Sequence, residues 1–158
     1  MDYQGLLFPG LMLTPDGPKV LEFNCRFGDP ETQVLLPRLE TDLLDLLEAT
    51  LERRLDQVRP EWTPRSAVCV VLASGGYPDR YEVRKPIAGL AEAEQLADVI
   101  IFHAGTKKEG DRVLTAGGRV LGVTALADSL LSARRRAYDA AERIEFDGRY
   151  LRRDIGLI

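Results

Sequence analysis

The sequence predicts an α+β protein in which a strand hairpin and a helix precede a small mixed α/β domain with mainly antiparallel strands. Apolar runs that end at glycine or proline turns indicate the strands, and leucine or alanine stripes at helical spacing indicate the helices. The segment 58–65 holds two prolines and mixed charge, and the composition of the chain changes after it. We therefore expect one part at residues 1–62 and a second at residues 63–158.

The composition is that of an ordinary globular protein of 158 residues, since 45% of them are hydrophobic. The net charge of −4 gives no basic surface for nucleic acid or for an anionic membrane. No apolar run approaches the roughly 18 residues of a membrane span, and the N-terminus lacks the pattern of a signal peptide. We expect a cytoplasmic protein in which Cys25 and Cys69 are buried free thiols.

The first part is predicted to begin with a hairpin. Residues 5–13 and 19–27 are apolar runs, and the segment between them is a turn in which Pro15 presets φ and Gly17 permits a positive φ. Prolines and Gly28 then predict a loop at 28–38.

A single helix is predicted to complete the first part. Thr41 or Asp42 is its expected N-cap, and its end is expected near Leu55. The apolar stripe that indicates this helix consists of Leu44, Leu47, Leu51 and Leu55.

The second part alternates short strands with glycine turns before a long helix. The expected elements are strands at 67–73, 99–104, 112–116 and 119–126 and a helix at 129–144. The first of these strands is continuously apolar, so both of its faces should be covered. Gly117 and Gly118 are a hairpin signal. The run Arg134, Arg135 and Arg136 is expected to be a solvated face rather than a phosphate patch.

The strand at 19–27 carries the residues that indicate chemistry, because side chains alternate between the two faces of a strand. The set expected to face the core is Leu21, Phe23, Cys25 and Phe27. On the other face, Glu22 and Asn24 supply oxygen ligands that suit Mg²⁺, which completes its shell with water and substrate phosphates. Arg26 suits forked hydrogen bonds to phosphate or carboxylate. A metal pair followed by an anion clamp favours phosphoryl transfer.

The loop after this strand adds acidic and hydroxyl side chains. Gly28 permits a close backbone approach. Asp29 and Glu31 can accept hydrogen bonds from an amine or from ribose hydroxyls, and Thr32 can bond a phosphate. The alternative is an acidic surface loop in which Asp29 caps a turn, and these residues alone leave both interpretations open.

The run LEFNCRFGDPETQ at residues 21–33 resembles the signature of the phosphoribosylamine–glycine ligases (glycinamide ribonucleotide synthetases), which are ATP-grasp enzymes of purine biosynthesis. The resemblance covers nearly the whole chain, with further stretches at 5–12, 73–78, 102–107, 117–125 and 152–156. It implies that residues 1–62 are the C-terminal end of an ATP-grasp domain and that residues 63–158 are the C-terminal domain of the ligase.

The resemblance also implies a reaction and its residues. ATP would activate the carboxylate of glycine as an acyl phosphate, which the amine of 5-phosphoribosylamine would attack to give glycinamide ribonucleotide, ADP and phosphate. By position in the motif, Glu22 and Asn24 match the ligands of Mg²⁺ or Mn²⁺, and Arg26 matches the catalytic basic residue beside the reacting phosphate. The loop positions expected to bind substrate are Asp29, Glu31 and Thr32.

Members of this family carry a long N-terminal portion with most of the nucleotide contacts, so this chain alone is expected to bind no ATP and to be inactive without that portion. Two other classes remain. One is a non-catalytic α/β module that self-associates and binds no nucleotide. The other is a carboxylate-pair hydrolase that uses Glu22 with Asp29 or Glu31, which leaves the spacing of the asparagine and the arginine unexplained.

Two features of the second part have simpler interpretations. His103 is expected to be a structural hydrogen-bonding residue. Residues 75–78 are expected to be either a tight turn or a border of the active site.

Overall fold

The computed structural model describes residues 2–157 and divides the chain into two compact units, Met1–Thr63 and Pro64–Ile158. Helices and strands occur in both units. Every strand pair among the described residues is antiparallel. The predicted α+β fold with mainly antiparallel strands is therefore confirmed.

The first unit begins with the predicted hairpin. Strand β1, Phe8–Thr14, pairs with β2, Gly17–Asn24. Gly17 has a φ of +98°, which glycine adopts without strain, and its carbonyl oxygen accepts a hydrogen bond of 2.8 Å from the Thr14 hydroxyl. The strands are shorter than predicted, since β1 begins at Phe8 rather than at residue 5 and β2 ends at Asn24 rather than at residue 27.

Short helical segments follow the hairpin. Helix α1, Thr32–Leu35, continues into a 3₁₀ turn, Leu36–Arg38. The prediction of a loop across 28–38 is therefore wrong for its second half. Pro37 does not prevent this turn, because it stands at the N-terminal end, where its missing amide hydrogen is not needed.

Helix α2, Leu43–Leu51, has the predicted N-cap but ends earlier than predicted. The Asp42 carboxylate accepts a hydrogen bond of 2.8 Å from the amide of Leu44. The helix ends because Arg53 adopts a φ of 57°, a left-handed conformation that interrupts the helical repeat. The last leucine of the stripe lies in a separate 3₁₀ turn, Leu55–Gln57, so the predicted extension of the helix to that residue is wrong.

A four-stranded antiparallel sheet forms the framework of the second unit. Its elements in chain order are β3 Ser66–Ser74, α3 Leu90–Glu94, β4 Val99–His103, β5 Thr106–Glu109, β6 Arg112–Thr115, β7 Arg119–Ala127, α4 Leu130–Ala141 and β8 Arg149–Tyr150. The sheet order is β4-β7-β3-β8, while β5 and β6 form a separate hairpin. The strands β7 and β3 therefore lie inside the sheet, with a neighbour on each side.

Helix α4 packs on β3 and β7 and closes the core of the second unit. The Ser129 hydroxyl caps the helix by accepting a hydrogen bond of 3.2 Å from the amide of Ser132. Small side chains on the packed face let the helix approach the sheet closely, and the fully buried ones are Ala133, Ala137, Ala140 and Ala141. Burial of each large core side chain, such as Leu72 or Ile144, stabilises the unit by about 1.5–3 kcal/mol.

One prediction for the turns of the second unit is wrong, and the prediction of a solvated arginine face holds only in part, since Arg135 is exposed whereas Arg134 and Arg136 are partly buried. Gly117 and Gly118 do not connect a hairpin, because β6 pairs with β5 whereas β7 pairs with β3 and β4. The arginine run is not simply a solvated face. Arg134 donates to the carbonyl oxygen of Ile155 at 2.9 Å, and Arg136 donates to the Asp98 carboxylate at 2.8 Å.

The two faces of β3 are covered unequally. Val70 and Leu72 on one face are fully buried, whereas Cys69 and Val71 on the other are half-buried. The predicted coverage of both faces is therefore incomplete. Within residues 2–157, Cys25 and Cys69 form no disulfide, but Cys25 is exposed and the prediction of its burial is wrong.

The first unit has little interior of its own. Among its described residues, Ala49 is the one hydrophobic side chain that is fully buried. Leu21 and Phe23, which were expected to face a core, are 65% and 62% exposed, so that prediction is wrong. The alternation along β2 is present, but the two-stranded hairpin carries no layer of described residues that buries this face.

In the part of the chain that the structure describes, no helix combines the length and apolar character needed to cross a membrane.

Candidate functional site

Glu22 and Asn24 lie side by side on β2. Nδ2 of Asn24 donates a hydrogen bond of 2.9 Å to Oε1 of Glu22. The prediction that the two side chains share a face of the strand is therefore confirmed. Carboxylate and amide oxygens suit Mg²⁺ and Mn²⁺, so this donor set fits a small divalent cation.

The opposite strand leaves room beside this pair. In the register of the hairpin, Gly10 of β1 faces Glu22, and Phe8 faces Asn24. A Cβ atom on Gly10 would lie 3.2 Å from Cγ of Glu22, so a larger residue would press on the Glu22 side chain. The pattern along the strand did not indicate this role of Gly10. The signal that could have revealed it is a glycine inside a strand, which often marks a close approach.

Arg26 lies just beyond the end of β2 and is exposed. One of its guanidinium nitrogens, Nη1, donates to the carbonyl oxygen of Phe27 at 2.7 Å. Among the described residues, Arg26 forms no hydrogen bond or ion pair with Glu22 or Asn24, so its fork retains N–H donors for a phosphate or carboxylate.

Next to Arg26 in the sequence, Cys25 interacts with Tyr3 from the segment before the hairpin. The pKa of Tyr3 is raised above its ordinary value, first by desolvation and then by the nearby Cys25 thiol. The Tyr3 side chain therefore lies near Cys25, just beyond the end of β2.

The loop after β2 folds closely around Gly28, which is buried. A Cβ atom on Gly28 would lie 2.3 Å from Oε2 of Glu31 and 2.9 Å from Cε1 of Phe8, so a side chain at this position would displace both groups. Residues that pair directly across a hairpin share a face, and Phe8 pairs with Asn24. The loop therefore brings the Glu31 carboxylate next to a ring on the same face as the candidate metal ligands.

Hydrogen bonds within the loop hold two further candidate residues. The carbonyl oxygen of Gly28 accepts a hydrogen bond of 3.1 Å from the Thr32 amide and another from the Thr32 hydroxyl. Nε2 of Gln33 donates to Oδ1 of Asp29 at 3.1 Å. The Thr32 hydroxyl proton is thus used inside the loop, and its contact with a phosphate stays a prediction. Gln33 was not among the residues that the sequence indicated.

A closed protein cage for a metal ion is absent from residues 2–157, since no cluster of three or more His, Cys, Asp or Glu side chains there could hold one. The arrangement of Glu22 and Asn24 is instead typical of Mg²⁺ sites, in which one or two protein oxygens act together with water and substrate phosphates.

An apolar groove of about 830 Å³ lies within the first unit. Its walls come from the segment before β1 and the first residue of that strand, from the loop after β2, from α1 and α2, and from the 3₁₀ turns and the segment that follow them. The large apolar side chains that line it are Leu6, Leu7, Phe8, Phe27, Leu35, Leu36, Leu39, Leu43, Leu46, Leu47, Leu51, Leu55, Val58 and Trp62. Exposed apolar surfaces of this kind mark places where another structural element packs.

In the second unit, the structure favours structural roles for the features noted in the sequence. Nδ1 of His103 lies 2.9 Å from the Thr106 hydroxyl, as expected for a hydrogen-bonding residue. The turn at 75–78 lies over Gly118, because a Cβ atom there would be 2.1 Å from Cδ2 of Tyr77. These contacts favour a tight turn at 75–78.

Two sequence profiles of one family match the chain. The profile for "Phosphoribosylglycinamide synthetase, C domain" matches residues 67–158, which is more than half of the chain. The chain belongs to the phosphoribosylglycinamide synthetase family. The profile for the ATP-grasp (A) domain of the same family matches residues 1–32, and this stretch includes every candidate metal, catalytic and substrate residue named above.

Curated members of the family are considerably longer than this chain. The phosphoribosylamine–glycine ligase of Synechocystis sp. is 56% identical over 158 residues, which cover 99% of this chain and 38% of the relative. The enzyme of the same name from Caldanaerobacter subterraneus is 51% identical over 97% of this chain and 36% of the relative. A crystal structure of the Thermotoga maritima phosphoribosylamine–glycine ligase matches with a TM-score of 0.77 and 36% identity, over 94% of this chain and 36% of that one. The chain thus spans little more than a third of these relatives.

Proposed function

We propose that this chain supplies the metal and phosphate side of the active site, together with the C-terminal domain, of an ATP-dependent ligase that joins glycine to 5-phosphoribosylamine. In this proposal residues 1–62 are the end of the ATP-grasp domain and residues 63–158 are the C-terminal domain. The observation that carries the proposal is the contact between Glu22 and Asn24 on β2, inside the stretch that the ATP-grasp profile of the family matches.

The reaction has two steps. A carboxylate oxygen of glycine attacks the γ-phosphorus of ATP, which releases ADP and gives glycyl phosphate. The amine of 5-phosphoribosylamine then attacks the carbonyl carbon, loses a proton and expels phosphate, leaving the amide bond of glycinamide ribonucleotide. Both steps concentrate negative charge on phosphate oxygens, so catalysis depends on positioning and on charge neutralisation.

Each candidate side chain has one task in this scheme. Glu22 and Asn24 hold Mg²⁺ or Mn²⁺, an ion that neutralises phosphate charge when it is bound. Arg26 donates hydrogen bonds to the reacting phosphate. Asp29 and Glu31 accept hydrogen bonds from the amine or the ribose hydroxyls of the second substrate. Thr32 belongs to the same loop, residues 28–33 (the substrate loop), and its hydroxyl donates a hydrogen bond to the carbonyl oxygen of Gly28.

The proposal places the reaction in the cytoplasm. Cys25 and Cys69 are thiols that form no disulfide in the described part of the chain, which fits a reducing compartment.

The rest of such a ligase is proposed to pack into the apolar groove of the first unit and to hold most of the nucleotide. Two observations support this: the curated relatives are much longer than this chain, and the groove exposes many leucines. The chain alone is then expected to bind no ATP and to be inactive. A second copy of the chain is the other candidate occupant, and sedimentation that gives a dimer with no ATP-dependent activity would favour a self-associating, non-catalytic module instead.

The proposed function is tested with a chimera in which this chain replaces the matched stretch of the Synechocystis ligase. We expect ADP release that depends on glycine and on 5-phosphoribosylamine. Glu22→Ala and Asn24→Ala should each lower kcat/KM by about 100-fold or more and raise the Mg²⁺ concentration needed for half-maximal activity.

Glu40→Ala, which changes an exposed acid of the same unit that is not among the candidate site residues, is the matched control and should retain the activity of the unaltered chimera. Full activity in the Glu22→Ala and Asn24→Ala chimeras would show that the metal assignment is wrong. An unaltered chimera that folds but releases no glycine-dependent ADP would contradict the proposed function itself.

A further inference from the structure

The substrate loop contains a hydrogen bond between an acid of the candidate site and a residue outside it. Nε2 of Gln33 lies 3.1 Å from Oδ1 of Asp29, and the two residues are four positions apart. An amide nitrogen of this kind can only donate, so the contact holds one carboxylate oxygen of Asp29 and restricts rotation of its side chain.

Gln33 occupies a fixed place because it belongs to the turn that starts α1. The amide of Leu35 donates to the carbonyl oxygen of Glu31 at 3.0 Å, and the amide of Thr32 donates to that of Gly28 at 3.1 Å. Gln33 is partly buried whereas Asp29 is exposed. We therefore take Gln33, which is partly buried on a helical turn, to hold the exposed Asp29 in place.

We propose that Gln33 is a positioning residue that orients the Asp29 carboxylate towards the amine substrate. This inference rests on the proposed function, in which Asp29 accepts hydrogen bonds from 5-phosphoribosylamine. A carboxylate whose rotation is already restricted binds the amine with less loss of side-chain freedom than one that rotates freely. Gln33 acts through Asp29 and does not itself contact a substrate.

The test uses the same chimera and measures kcat and KM for each substrate. Gln33→Met keeps the length of the side chain and removes the donor. We expect it to raise KM for 5-phosphoribosylamine by about three- to tenfold, the effect of one hydrogen bond, while kcat and KM for ATP and glycine change by less than about twofold. Gln33→Glu, which keeps the shape but replaces the donor with an acceptor, should show the same selective rise even if the methionine variant folds poorly.

A double-mutant cycle separates positioning from a merely structural role. In an Asp29→Ala background, Gln33→Met should have no further effect on KM for 5-phosphoribosylamine, because the acceptor through which Gln33 acts is already absent. Gln57→Met, an exposed glutamine of the same unit, is the control and should leave all constants unchanged. The inference is overturned if Gln33→Met behaves like this control, if the two effects multiply, or if every KM rises together. An inactive unaltered chimera would contradict the proposed function, whereas an active chimera in which Gln33→Met has no selective effect would contradict only the positioning role of Gln33.

Discussion

The two units of this protein differ in where their apolar side chains lie. In the second unit, valines and leucines of β3 and β7 are buried in the core, together with Ile144 just after α4. In the first unit, Ala49 is the one fully buried hydrophobic side chain among the described residues, and large side chains such as Leu21 and Phe23 are exposed. The unit that carries the candidate chemistry is therefore the one that lacks an interior, which is expected if its site takes its final shape only when a further layer packs on it.

The difference has a simple physical origin. A two-stranded hairpin is marginal in water, whereas a sheet of three or more strands covered by a helix can be stable by itself. The second unit has a four-stranded sheet with α4 packed on it, while the first has β1, β2 and short helical segments. Burial of apolar area, at about 25 cal/mol per Å², therefore stabilises mainly the second unit.

The largest expected contrast between the units comes from one substitution made in each. Leu72→Ala removes a side chain that is fully buried and should lower the free energy of unfolding by about 2–5 kcal/mol. Leu21→Ala removes the same atoms from a side chain that is 65% exposed. It should change the free energy of unfolding by less than about 0.5 kcal/mol. Urea unfolding of the whole chain measures both. Equal losses for the two variants would mean that the first unit has an interior that contributes to stability as the second does.

A smaller effect is expected from the ion pairs that tie the second unit together. Asp98 accepts hydrogen bonds from Arg65 at 2.9 Å and from Arg136 at 2.8 Å. The Arg65 guanidinium, followed by that of Arg136, holds the pKa of the Asp98 carboxyl below its ordinary value. A lowered pKa in the folded state means that this stabilisation is present above the ordinary pKa and is lost as the pH falls through the folded value.

Asp98→Asn should therefore destabilise the second unit by about 1 kcal/mol at neutral pH, a modest value because the Asp98 side chain is 37% exposed and solvent screens the pairs. The difference from the unaltered chain should shrink below about pH 4, as measured by thermal unfolding over a pH series. Asp111→Asn, an exposed acid in the turn between β5 and β6, is the control. A difference that is constant across the pH series would show that charge is not the cause.

Local patterns in the sequence predicted the elements that local interactions determine. Pro15 and Gly17 marked the hairpin turn, and the leucine stripe marked α2 with Asp42 as its cap, because turn geometry and capping involve residues only a few positions apart. The same patterns could not fix where α2 ends, since the stripe continues to Leu55 although Arg53 has already left the helical conformation.

Pairing between strands that are distant in the sequence was harder to predict from local patterns. The glycine pair before β7 has the composition of a hairpin turn, yet β7 pairs with β3 and β4 rather than with β6. The strand β5, Thr106–Glu109, was missed because its sequence, TKKE, has no apolar residue that could reveal a buried face. The two-residue strand β8, Arg149–Tyr150, is defined only by its partner β3.

For the candidate site, alternation along β2 predicted which residues share a face, and the contact between Glu22 and Asn24 confirms it. Burial of the opposite face could not be predicted, because it depends on what covers the hairpin rather than on the pattern within the strand. The contributions of Gly10 and Gln33 appear only when the register of β1 and the turn of α1 are known.

Amide hydrogen exchange, measured residue by residue, tests most directly the claim that the site lies on the unit that needs further packing. The measurement compares this chain alone with the chimera that supplies the rest of the ligase. In the chain alone, the amides of β1 and β2 should exchange almost freely, whereas those of β3 and β7 should exchange slowly. In the chimera, all four strands should be protected. If β1 and β2 were already as protected as β3 and β7 in the chain alone, the first unit would be self-sufficient and the account would be contradicted.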